Sequence, residues 1–92
     1  MRAMVIDGFG GPEVLHPDEL PTPVPAAGEV LVKIAFAGVN PADWKTREGK
    51  LSAFIDYHFP FVIGFDLAGV VEAVGRGVET WRVGDRVFGM SN

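Results

Sequence analysis

The polar residues best placed to do chemistry fall in "NPADWK", Asn40 to Lys45. Asn40 immediately precedes Pro41, an order that suits a helix cap followed by the proline of the first turn. Asp43 then falls where a carboxylate either orients Lys45 or, the favoured reading, meets the partial positive charge of a helix start. Lys45 is either a solvated helix-face lysine or an ammonium that stabilises negative charge developing on an oxygen. The rest of the inventory is thin. The chain has no cysteine, which excludes a disulfide framework, a thiolate nucleophile and a thiolate-bound metal. Its only histidines are His16, beside Pro17 with no partner in view, and His58, beside Phe59 in a surface loop.

The elements that must hold Asn40 and Lys45 are mostly strands. "RAMVID" is short and rich in strand formers, and ends at the glycine-rich turn "GFGGPE". "VLHPDEL" carries Pro17 and suits an edge strand. Pro21, Pro23 and Pro25 stiffen the connector that follows. "EVLVKIAFAGVN" reads as a central strand with Val30, Val32, Ile34 and Phe36 on one face and Leu31, Lys33 and Ala35 on the other. "NPADWKTREGK" follows as a helix of about two turns, closed by Gly49. After the aromatic loop "LSAFIDYHFPF", the segment Phe59–Val78 runs as strand through "LAGVVEAVG", turns at "GRGV" and returns through "DRVFGM". Gly64, Gly69, Gly75 and Gly77 interrupt it, and a glycine in a strand marks a bend or a close approach of another backbone or a ligand.

At 92 residues the chain is expected to form one small domain, residues 1–92, burying about 60–65% of the surface its unfolded form exposes. Apolar residues make up 48% and charged residues 22%, which is ordinary globular composition. The net charge of −4 and the scattered Lys and Arg exclude a nucleic-acid footprint. No apolar run approaches the roughly 20 residues of a membrane helix, and the N-terminus lacks a signal-peptide pattern. A cytoplasmic protein is expected. No G-x-G-x-x-G stands between a strand and a helix, so these residues carry no dinucleotide fingerprint.

Three segments in order, "MRAMVIDGFGGPEVL", "GEVLVKIAFAGVNPADWKTREG" and "FPFVIGFDLAGVVEAVGRGVETWRVGDRVFG", resemble the amino-terminal, GroES-like catalytic domain of medium-chain dehydrogenases/reductases, specifically the zinc-independent quinone oxidoreductase and enone reductase branch. The likeness covers nearly the whole chain. It implies a mainly β fold, a small antiparallel GroES-like β-barrel with one short helix, here incomplete. In zinc-dependent relatives the segments matching "AGVNPAD" and "GFDLAG" carry a cysteine and a His-Glu pair, whereas this chain has Asn40, Phe65 and Asp66. A tetrahedral site needs converging imidazole, thiolate or carboxylate donors, so no zinc is expected.

The resemblance implies NADPH as cofactor, bound mainly by a Rossmann-type domain that these residues do not contain. It makes Asn40 and Lys45 the catalytic candidates and adds Gly64 and Asp66 to them as cofactor contacts. Trp44, Tyr57 and Phe65 become candidates to line a substrate pocket, the alternative for Trp44 and Tyr57 being core packing. The implied substrate is a small quinone or enone. A chain that stops at "GDRVFGMSN" is expected to be inactive alone and, with an open edge near "RVFGM", to self-associate. A rival reading is a co-chaperonin-like binding module, since "GVVEAVGRGV" and "VGDRV" also resemble that family. It leaves the "NPADWK" helix without a purpose and lacks a long mobile loop.

Overall fold

The computed structural model describes residues 1–54 and 56–91. Its contacts fall into two compact units, the first built from residues 1–21 and 39–64, the second from residues 22–38 and 65–92.

The first unit holds a three-stranded antiparallel sheet in the order β2-β1-β4, with β1 at Arg2–Ile6, β2 at His16–Glu19 and β4 at Phe61–Val62. Val5 and Ile6 are fully buried and pair with Val62 and Phe61 across β4. As its proline suggests, β2 lies at the edge, with Pro17 opposite Met4. Helix α1, Pro41–Arg47, forms because Asn40 supplies extended backbone at the cap and Pro41 a preset φ in the first turn. The helix is fastened to the turn after β1 through both groups of Gly10. Gly10 N–H donates to the Arg47 carbonyl at 2.9 Å, and Arg47 Nε donates to the Gly10 carbonyl at 3.1 Å.

The second unit holds an antiparallel sheet in the order β3-β5-β6, with β3 at Val30–Ala37, β5 at Asp66–Val74 and β6 at Arg86–Met90. Its inner face centres on Val71, which is buried. Two sequence expectations change here. The central strand is β5, and β3, expected there, lies at the edge. Nor does β3 keep one apolar face, because its pairing slips between Leu31 and Val32 and again between Ile34 and Phe36. Ile34 pairs with Gly69 and Phe36 with Ala68, adjacent residues of β5 that alternate faces, so Ile34 and Phe36 end on opposite sides of the sheet.

Phe59–Val78 is also not one strand. β4 joins the first unit and β5 the second, with Gly64 between them at φ +119°, a conformation that L side chains rarely adopt. Gly69 has a different purpose. A Cβ there would run into the carbonyl oxygen of Lys33 on β3, so the glycine lets two strand backbones approach. The protein is therefore mainly β and antiparallel with one short helix. Among the described residues neither sheet closes on itself.

Candidate functional site

Asn40, Trp44 and Lys45 are held by α1 of the first unit. Asp43 is about nine-tenths buried, and its Oδ2 accepts the Asn40 N–H at 3.0 Å while the Asn40 carbonyl accepts the Asp43 N–H at 2.9 Å. This reciprocal bonding fixes the first turn and with it the direction of the helix. Asp43 thus acts on the helix start rather than on Lys45. Its second oxygen, Oδ1, is buried with no hydrogen-bond partner among the described residues. Thr46 is buried and donates to the Ala42 carbonyl at 2.8 Å. One side of the short helix is therefore locked inward, and Trp44 and Lys45 remain exposed.

Lys45 Nζ lies 5.7 Å from the centre of the Trp44 ring, and Lys50 Nζ lies closer, at 4.6 Å. Lys50 is also 3.2 Å from Glu48 Oε2, which leaves the Lys45 ammonium as the less engaged of the two cations. Sequence reasoning passed over Lys50 because it lies beyond the helix. The turn at Gly49, with φ +84°, brings it back over the indole.

Tyr57 packs edge-on against Phe9 and Phe61, with ring centres 5.5 and 4.9 Å apart, and Phe9 meets Phe59 at 5.3 Å in the same manner. The Tyr57 hydroxyl is buried without a partner among the described residues. A tyrosine that served packing alone would leave that donor unsatisfied at a cost of about 1–3 kcal/mol. Gly64 closes the first unit, whereas Phe65 and Asp66 open the second, where Asp66 pairs with Met90 at the start of β5. A groove of about 700 Å³ in the second unit is lined by Val24, Val32, Leu67, Trp81, Phe88 and Met90 among others, and by none of the seven residues nominated from sequence.

His16, for which no partner was in view, has one. The pairing of β1 with β2 sets it opposite Val5, and its Nε2 lies 2.6 Å from Asp7 Oδ2. This bond, helped by the Pro17 carbonyl 3.3 Å from Nδ1, raises the His16 pKa above the ordinary histidine value. A raised folded pKa means that the stabilisation is fully present below about pH 6.5 and is lost as pH rises through the folded value. The effect is small because the pair is exposed. Expected in an NMR titration is a His16 midpoint that falls when Asp7→Asn is introduced. An unchanged His16 midpoint in that variant would contradict the pairing.

Among the described residues no group of three or more His, Asp or Glu is placed to hold a metal ion. Among the same residues no helix is long and apolar enough to cross a membrane.

Residues 26–92 match the alcohol dehydrogenase GroES-like domain family. The chain is similar to the quinone oxidoreductase of Lama guanicoe, at 43% identity over 89 residues that make up 96% of this chain and 26% of that protein. It superposes on the crystal structure of Escherichia coli quinone oxidoreductase complexed with NADPH with a TM-score of 0.86 and 33% identity, covering 96% of this chain and 26% of that one. It also superposes on a human synaptic vesicle membrane protein VAT-1 homolog-like protein with a TM-score of 0.93 and 36% identity, covering 100% of this chain and 29% of that one. The chain thus spans about a quarter of the length of such relatives.

Proposed function

Because the chain belongs to the alcohol dehydrogenase GroES-like domain family, on its quinone oxidoreductase branch, we propose that it forms one wall of the active site of a cytoplasmic, NADPH-dependent, zinc-independent reductase of quinones or activated alkenes. The reading is carried by one observation. In a chain similar along almost its whole length to quinone oxidoreductases, the Asn40–Lys45 segment folds as a rigidly capped helix that presents an exposed ammonium. The same likeness favours an enzyme over a co-chaperonin-like module, in which this helix has no use.

The donors on α1 suit the ribose and amide end of a dinucleotide, while its phosphates find no glycine-rich strand-to-helix turn in this sequence. Asn40 and Lys45 would hold that end, with Gly64 and Asp66 on the cofactor side. The Rossmann-type domain that binds the remainder is a partner this reading requires. When bound, the reduced nicotinamide supplies a hydride to the quinone or to the β-carbon of the enone. Negative charge then builds on the substrate carbonyl oxygen, and the Lys45 ammonium stabilises it as it develops. Trp44, Tyr57 and Phe65 are the residues this reading assigns to the substrate pocket, Tyr57 through its ring, since its hydroxyl is buried. Asn40 is a poor zinc ligand and Phe65 cannot donate at all, so the chemistry proceeds without that metal.

The isolated chain is expected to lack the main cofactor site. Calorimetric titration with NADPH should show no binding tighter than about millimolar, no NADPH oxidation should follow addition of a quinone, and zinc should be substoichiometric after dialysis. Micromolar NADPH binding, or one tightly held zinc per chain, would contradict the proposal.

A further inference from the structure

The turn after β1, whose Gly10 fastens α1, also carries a side chain to which the proposed mechanism gives no part. The Phe9 ring lies against Gly49, just past the end of α1. A Cβ on Gly49 would stand 2.9 Å from both Cγ and Cδ2 of Phe9 and 3.3 Å from its Cβ, so only glycine leaves room for the ring. From that seat Phe9 meets Tyr57 edge to face at 5.5 Å and Phe59 at 5.3 Å. Phe9 therefore touches both the end of the helix that holds Lys45 and the loop that holds Tyr57.

Between α1 and β4 the described residues form no helix or strand, so no regular backbone bonding sets the direction of the Tyr57 ring. Packing sets it instead. The ring is half-buried with its hydroxyl fully covered, and it is held edge to face by two other rings from different elements. Phe61 comes with β4, fixed by its pairing with Ile6 of β1. Phe9 comes with the turn that Gly10 ties to Arg47 through two hydrogen bonds. Of the two, Phe9 is the one that links the Tyr57 ring to α1.

We infer that Phe9 is a positioning residue for substrate binding: wedged between Gly49 and Tyr57, it fixes the Tyr57 ring relative to α1, so that the ring and the Lys45 ammonium belong to one rigid wall. The inference rests on the assignment of Tyr57 and Lys45 to the site proposed above. Phe9 acts through Tyr57. With Phe9 shortened, Tyr57 loses its support on the helix side, and a quinone that binds must order the ring itself, which weakens binding. Lys45 stays on α1, so the transfer step in the bound complex is unchanged. The loss therefore falls on KM rather than kcat.

Two measurements on Phe9→Leu test this. Tyr57 is the only tyrosine of the chain, so the ring resonances of the tyrosine-labelled 92-residue chain report on it alone. They should move toward unfolded-chain values in Phe9→Leu and stay near their original positions in Phe9→Tyr, which keeps the ring. In a full-length quinone oxidoreductase carrying these 92 residues in place of its own, Phe9→Leu should raise the quinone KM about fivefold or more, with kcat within about twofold, and Phe9→Tyr should restore it. A residue that served stability alone would lower the amount of folded enzyme and leave KM unmoved. If Phe9→Leu does not fold, Phe9→Met takes its place in both measurements. Unmoved Tyr57 resonances, or an unchanged KM, would overturn the inference. A chimera that reduces no quinone even with Phe9 in place would contradict the function proposed above, and the resonances would still decide whether Phe9 holds the ring.

Discussion

When these 92 residues replace the matching segment of a full-length quinone oxidoreductase, Lys45→Ala should lower turnover about 10²-fold or more, the usual effect of removing a donor that stabilises charge in the transition state. The loss should appear in kcat rather than KM alone, because the interaction strengthens only as the carbonyl oxygen becomes negative. Lys45→Arg keeps the charge but changes its reach, and should recover part of the rate. Lys50→Ala serves as the control. Its ammonium already faces Glu48 and the Trp44 ring, and its loss should leave turnover within about twofold. Steady-state kinetics with a quinone decides between these outcomes. An unchanged rate for Lys45→Ala would make Lys45 an ordinary solvated lysine of α1.

The second large effect is on stability. Gly69→Ala should destabilise the protein by about 3 kcal/mol, at the upper end of what an overpacked methyl group costs and a substantial part of a total of about 5–15 kcal/mol. The added Cβ meets the Lys33 carbonyl oxygen, and the Lys33 carbonyl carbon and Ile34 Cα would lie only 2.9 and 3.0 Å away. All three are backbone atoms of a paired strand, and β5 is held on both sides, so neither neighbour can yield cheaply. Gly89→Ala on β6 is the comparison, since nothing lies within 4 Å of a Cβ there. It should shift stability by less than about 0.5 kcal/mol. Urea denaturation of the two variants measures the difference. Equal midpoints would mean that β3 and β5 do not approach as closely as described.

The parts of the fold written in local chemistry were legible in the sequence. Asn40, Pro41 and Asp43 announce a helix start within four residues, and α1 begins there. Pro17 marks an edge strand, and β2 is one. What could not be read depends on partners far along the chain. The alternation in β3 looked regular because a strand taken alone is regular. Its two slips arise only in pairing with β5, and the second sends Ile34 and Phe36 to opposite faces. Gly64 looked like one more interruption in a long strand, yet it is where the chain passes from one sheet to the other. His16 and Asp7 are nine residues apart with a turn between them, and only the register of β1 against β2 brings them together. The candidate site was legible as residue types on a helix, since the Asn40–Lys45 spacing is short. The cations around Trp44 and the buried Tyr57 hydroxyl needed coordinates.

The central claim, that this chain supplies the wall of a quinone or enone reductase site, is tested most directly by the NADPH-dependent quinone reduction of that same full-length chimera. The account predicts a soluble, NADPH-binding chimera that reduces quinone within about tenfold of the parent enzyme. A chimera that folds and binds NADPH as the parent does, yet transfers no hydride to a quinone or an enone, would contradict it.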